Sequence, residues 1–195
     1  MKNKIIAMMI ISSLALQYSF ADNPLLLKDI YKGVNSSYAG GMIKWSNNRY
    51  LFIAQDSQIT NPFYYVMGLW MTDGTSSGTQ LIKEFNINGG GVSGLTKLND
   101  QLVVFMAYDA THGNELWVTD GTSAGTKLLK DINPGTASSS VNFGPVVNGK
   151  AFIQAAGGNS YSNVWQLWIT DGTSAGTKKL ADSIDYGSMP HAYLV

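Results

Sequence analysis

Apolar residues along this chain gather in short runs broken by polar turns. Beyond residue 21 no stretch holds a sustained 3.6-residue apolar spacing, so the pattern predicts strands and no helices. One set of runs begins near Met42, Leu95 and Pro145. Asn47-Asn48, Asn99-Asp100 and Asn148-Gly149 follow as polar turns, and then come Tyr50–Ala54, Leu102–Ala107 and Ala151–Ala155. A third strand ends in Leu69-Trp70-Met71, Leu116-Trp117-Val118 or Leu167-Trp168-Ile169. A fourth follows in Leu81-Ile-Lys-Glu84, Leu128-Leu-Lys-Asp131 or Leu180-Ala-Asp182. Asp-Gly and Asn-Gly between β-formers mark hairpins, because these residues accept the positive φ of a tight turn.

Three consecutive apolar residues in a strand cannot all face one side, since alternate side chains point to opposite faces. The third strands, with Tyr50-Leu-Phe-Ile53 and Leu102-Val-Val-Phe105, must therefore be covered on both faces. The fourth strand is half polar, as an outer edge would be. Sheets stacked face to face satisfy this pattern, and a lone sheet with one wet face does not.

The runs repeat. Gly68-Leu-Trp-Met-Thr-Asp-Gly-Thr-Ser-Ser-Gly-Thr79 recurs, nearly unchanged, at Glu115–Thr126 and Gln166–Thr177. The shared aspartates Asp73, Asp120 and Asp171 set spacings of 47 and 51 residues. Periods of that length, each holding four short strands, predict an all-β chain of four-stranded antiparallel blade repeats. The expected architecture is a partial or open β-propeller of about three blades. A flat β-solenoid fits less well, its repeats being shorter. Leu26-Leu-Lys-Asp29 copies the fourth-strand tract alone, and Ser188–Val195 begins a first strand. Closed propellers use roughly 4–8 blades, so the expectation is a truncated product. An open array, or copies that associate to finish a ring, are the alternatives.

Composition adds an address. Two lysines in Met1–Lys4, an uncharged run over Ile5–Leu16 and small residues at Ser19 and Ala21 have the order of a secretory signal. The run is shorter than the ~20 residues that span a bilayer. Residues 1–21 are thus expected to be cleaved, leaving a repeat domain over 22–195, secreted or periplasmic and with no stable membrane span. Thirteen basic residues balance thirteen acidic ones in the whole chain. Removing Lys2 and Lys4 leaves eleven against thirteen, a net of −2. That balance gives no footprint for nucleic acid. The absence of cysteine excludes disulfides, thiol catalysis and zinc–thiolate sites.

The tract Glu115-Leu-Trp-Val-Thr-Asp-Gly-Thr122 resembles the ELWxxDGT repeat, and with the trailing Leu-Leu-Lys-Asp-Ile tract the likeness covers nearly all of the chain after residue 21. The first copy has Gly68 and the third Gln166 where the second has Glu115, so that side chain is not a requirement of every repeat. The resemblance implies an exported bacterial protein with a propeller-like β fold. It implies neither an established enzymatic activity nor an assigned ligand.

Three sets of residues could carry chemistry. Asp73-Gly74-Thr75, Asp120-Gly121-Thr122 and Asp171-Gly172-Thr173 offer an oxygen pair each for calcium. One carboxylate per loop is thin for that ion, and a structural turn explains the near-identity of the copies better. Asp109, Thr111 and Glu115 form the densest set of alternating oxygen ligands, again for calcium, against a solvated loop as the plainer reading. Phe63, Tyr64, Tyr65, Tyr161 and Trp165 lie in the stretches that differ most between repeats, where repeat proteins bind, and could present a protein- or glycan-binding edge.

Catalysis lacks material. Arg49 is the single arginine, Glu84 and Glu115 are the only glutamates, and Ser76, Ser123 and Ser174, which have Gly-x-Ser-x-Gly spacing, stand in repeated turns between strands and in no strand-to-helix elbow. The expectation is therefore a non-catalytic exported module that binds protein or glycan and requires no cofactor. The alternative is a fragment of a larger propeller enzyme or lectin that lacks the blades needed for activity.

Overall fold

Each repeat folds into a four-stranded antiparallel meander. A computed structural model describes residues 27–30, 37–46, 48–55, 66–86, 91–156 and 165–184. The first sheet holds β1 (Gly40–Ser46), β2 (Arg49–Gln55), β3 (Val66–Thr72) and β4 (Gln80–Asn86). The second holds β5 (Val92–Lys97), β6 (Val103–Asp109), β7 (Gly113–Thr119) and β8 (Lys127–Lys130). The third holds β9 (Asn142–Val147), β10 (Lys150–Ala156), β11 (Trp165–Thr170) and β12 (Lys178–Ile184). Strand order follows chain order in every sheet, and the described residues contain no helix.

Register carries the repeat into three dimensions. The central pair of each sheet runs without a bulge and sets Phe52 opposite Trp70, Phe105 opposite Trp117 and Ile153 opposite Trp168. The outer pairs all contain register shifts. Bulges bend a strand and increase its twist, so each sheet is regular at its centre and warped at its rims.

The sheets stack, and the strand pleat decides what meets what. Leu51, Ile53 and Leu69 of the first sheet join one core with Val103, Phe105, Ala107 and Trp117 of the second. Val104, Leu116 and Val118, on the opposite face of the second sheet, join another core with Ala151, Ile153, Ala155 and Trp168 of the third. Leu69 and Leu116 thus face the following sheet, and Trp117 and Trp168 face the preceding one. All three tryptophans are buried, between 5% and 9% exposed. Phe85 of β4 meets Trp117 edge-on at 5.1 Å between ring centroids and Phe105 at 5.8 Å. Lys83 lies over the Trp117 ring at 5.6 Å, so the fourth strand also ties the first sheet to the second.

Alternation gives each stack two distinct ends. The β1–β2 and β3–β4 turns, with their counterparts, lie at one end of the sheets, here called the turn end. The β2–β3 connections and the links between sheets leave from the opposite, linker end. Every Asp-Gly-Thr copy is at the turn end, and the Asp109–Gly113 turn between β6 and β7 is at the linker end.

Candidate functional site

At the turn end, one hydrogen-bond network is built three times. In the second sheet the Thr122 amide donates to Asp120 Oδ1 at 2.9 Å, and the Thr122 hydroxyl donates to the same oxygen at 2.6 Å. The Gly125 amide donates to Thr122 Oγ1 at 2.9 Å. Thr126 sends its hydroxyl proton to the Thr122 carbonyl at 2.6 Å. Since that proton is spent, the 2.6 Å contact between Thr119 and Thr126 hydroxyls is a donation from Thr119. Thr119 Oγ1 in turn accepts the Gly121 amide at 3.0 Å. The same bonds recur at Thr72, Asp73, Thr75, Gly78 and Thr79. They recur again at Thr170, Asp171, Thr173, Gly176 and Thr177.

The glycines are equally determined. Gly74, Gly121 and Gly172 have φ of 88°, 82° and 86°, a region that a Cβ resists. Gly78, Gly125 and Gly176 lie against the aspartate, and a Cβ there would fall on the carboxylate. The Thr75, Thr122 and Thr173 hydroxyls, followed by the backbone amides, hold all three aspartates below the usual carboxylate range. The repeated motif is therefore a self-satisfied turn: one oxygen of each carboxylate is committed to its own loop.

At the linker end the second sheet has a feature found in no other sheet among the described residues. Glu115 Oε2 accepts the Ile132 amide at 2.8 Å, and Oε1 accepts the Asn133 amide at 3.4 Å. This clamps the link from β8 to β9 onto β7. Glu115 is wholly buried. Burial pushes its carboxyl up to about 7 against the pull of the two amides and Ser139, and the nearby Asp131 charge adds to the rise. Asp131 Oδ1 is itself buried with no hydrogen-bond partner among the described residues. The same link is held by Ser139 N to the Asn114 carbonyl at 2.9 Å and by Asn114 N to Ser138 Oγ at 2.9 Å.

The three ligands expected for calcium lie along β6, its turn and β7. Asp109 ends β6, Thr111 lies in the β6–β7 turn, and Glu115 lies inside β7 with its oxygens on the link. Asp109 Oδ1 accepts the Thr111 and His112 amides at 2.8 Å, and both of its oxygens meet His112 Nδ1 at 2.8–2.9 Å. Burial raises the Asp109 carboxyl, but the His112 ring and the two amides outweigh it and the net shift is downward. The bond to Asp109 raises the His112 ring in return. Among the described residues no three His, Cys, Asp or Glu side chains come together as a metal-binding group.

Of the aromatic edge residues, Phe63, Tyr64, Tyr65 and Tyr161 lie outside the described residues. Trp165 opens β11 half-buried, paired with Ala156 and Ile184. Sequence reading missed two things here. The Thr72–Thr79 type of hydroxyl pair was visible as two invariant threonines seven residues apart. The Glu115 clamp had no such signal, because its partners are amides 17 and 18 residues downstream.

No known protein family model matches this chain, and no curated protein or solved structure is similar to it. Among the described residues no helix is long and apolar enough to cross a membrane.

Proposed function

We propose that this chain is an exported, non-catalytic module of the ELWxxDGT repeat type. In this reading its three sheets are propeller-like blades, and its linker-end loops bind a protein or glycan partner. The observation that supports the reading is the contrast between the two ends. At the turn end the invariant residues spend their polar atoms on one another, three times over. The stretches that differ between repeats begin where β2 and β10 end, at the other end of the sheets, and their sequence holds Phe63, Tyr64 and Tyr65 in the first repeat and Tyr161 and Trp165 in the third. An invariant scaffold with one variable, aromatic edge is the arrangement by which repeat proteins bind.

A glycan array and a pull-down against surface proteins test it, using the parent chain beside Tyr64→Ala/Tyr65→Ala and Tyr161→Ala/Trp165→Ala. The expected result is one ligand class bound by the parent and weakened at least tenfold in the variants, with melting temperatures unchanged. Ligand binding that survives both double variants, or none by the parent in either format, refutes the reading. N-terminal sequencing of exported material, expected to begin at Asp22, tests the address.

A further inference from the structure

The link from β8 to β9, residues 131–141, is fastened to both of the sheets that it joins. Ser139 is its hub. The Ser139 amide and hydroxyl both donate to the Asn114 carbonyl of β7, at 2.9 Å and 3.2 Å, and its carbonyl accepts the Ala156 amide of β10. Glu115, the next residue of β7, holds the start of the link through the Ile132 and Asn133 amides. The equivalent positions do nothing of the kind among the described residues. Gly68 has no side chain, and Gln166 uses its oxygen to accept Trp168 Nε1 at 3.0 Å.

Hydrogen bonding places a proton on this carboxyl. Glu115 and Ser139 are both wholly buried, and a buried carboxylate needs a cation or a full set of donors. No ion pair reaches Glu115 among the described residues. Its Oε2 is well bonded at 2.8 Å, whereas Oε1 has only a long 3.4 Å contact with an amide. Oε1 is therefore the oxygen that can carry a proton. Ser139 Oγ lies beside the carboxyl. Its own proton goes to the Asn114 carbonyl, which leaves the oxygen as an acceptor.

The groups around Glu115 do not offset a charge there. Asp131, on the link, adds a negative charge, and its Oδ1 is buried with no hydrogen-bond partner among the described residues. Across the β6–β7 ladder the paired residue is the uncharged Ala107. Lys130 of β8 pairs with Leu116, on the other face of the sheet. Lys83 of β4 reaches the Glu115 face of β7 two residues further along, over Trp117. His112, in the β6–β7 turn, is bonded to Asp109, and its ring loses its charge as pH rises.

We propose that Glu115 is a proton-operated latch: protonated, it donates from Oε1 to Ser139 Oγ and binds the link to β7, and ionised, it lets the link go. Loss of the proton leaves Glu115 and Asp131 as two negative charges at one buried place, and water solvates them only when residues 131–139 move off β7. Ser139 moves with that segment and gives up its bond to Ala156 of β10. The tie between the second and third sheets at the linker end therefore weakens as pH rises through neutrality.

Amide hydrogen exchange of the full chain at pH 5.5 and pH 8.5, corrected for the intrinsic effect of pH on exchange, tests this. Residues 131–139 are the reporter and strand β6 is the reference. Between the two pH values the parent's reporter is expected to lose protection by about tenfold or more. At pH 8.5 its protection should lie below that of β6, since the link opens while the sheet stays folded. Glu115→Gln, whose amide donates where the carboxyl proton does, should keep its protection at both values. Asp131→Asn removes the neighbouring charge and should shrink the fall, and thermal melts confirm that both variants fold. A parent reporter equally protected at both pH values overturns the latch. So does a reporter no less protected than β6 at pH 8.5, or a fall that either folded variant reproduces in full.

Discussion

Thr119 and Thr126, seven residues apart, meet hydroxyl to hydroxyl at 2.6 Å in a site where both residues are buried. Each hydroxyl has a second bond, to the Gly121 amide and the Thr122 carbonyl respectively. Removing one partner strands a buried polar group, which costs more than removing both. Thr119→Val or Thr126→Val should each destabilise by about 1–3 kcal/mol. The double variant should cost less than the two single losses combined. Urea unfolding of the four proteins checks this, and simple additivity would show that the pair is not coupled.

The turn glycines should differ in cost by their neighbours. Alanine at Gly74 or Gly121 meets the same backbone strain of about 1–2 kcal/mol, since the two φ values are alike. At Gly121 the new methyl must also displace the Trp45 indole, whereas at Gly74 it enters open space. Gly121→Ala should therefore be the worse by about 1–3 kcal/mol. Equal melting temperatures for the two variants would mean that the first two sheets do not meet at Trp45.

Glu115 makes stability depend on pH in an unusual direction for a carboxylate. Its folded value, about 7, lies above its ordinary value of 4.5, so the folded state holds the proton more tightly than the unfolded chain. The group's contribution is complete below 4.5 and declines as pH rises toward 7, by on the order of 3 kcal/mol. Glu115→Gln keeps an oxygen for the Ile132 amide and removes the titration. Unfolding at pH 5 and pH 8 should show the parent losing stability over that interval and the variant changing less. A parent as stable at pH 8 as at pH 5, with the variant matching it, would refute this.

The Asp109–His112 pair acts in the opposite sense to Glu115 at its acidic edge. Asp109 is held below its ordinary value of 3.8, so its contribution is present above that pH and fades as the solution is acidified through the lower folded value. His112 is raised above 6.5, so its contribution is present below 6.5 and fades as pH climbs through the raised value. His112→Ala should lower the melting temperature at pH 5.5 more than at pH 8. An equal loss at both would show that the ring contributes by packing alone.

Much of the fold was legible because it is local and repeated. Period-two apolar runs, hairpin dipeptides and three copies of one twelve-residue tract determined twelve strands, their order within sheets and the burial of Trp70, Trp117 and Trp168 on both-sided strands. The chemistry of Asp73, Gly74 and Thr75, and of their copies, was also readable, since every partner lies within six residues.

Tertiary structure decided the rest, because it depends on distances that sequence separation hides. Which face of each Leu-Trp pair looks forward, and that Trp45 lies under Gly121, follow from how two pleated sheets stack. Glu115 read as one oxygen ligand among several along a loop. Folding turned it inward onto amides of Ile132 and Asn133, where burial, rather than any neighbour in the sequence, sets its charge. Strands and turns are written in local spacing, whereas the contacts between sheets, such as Trp45 against Gly121, exist only once the strands are stacked.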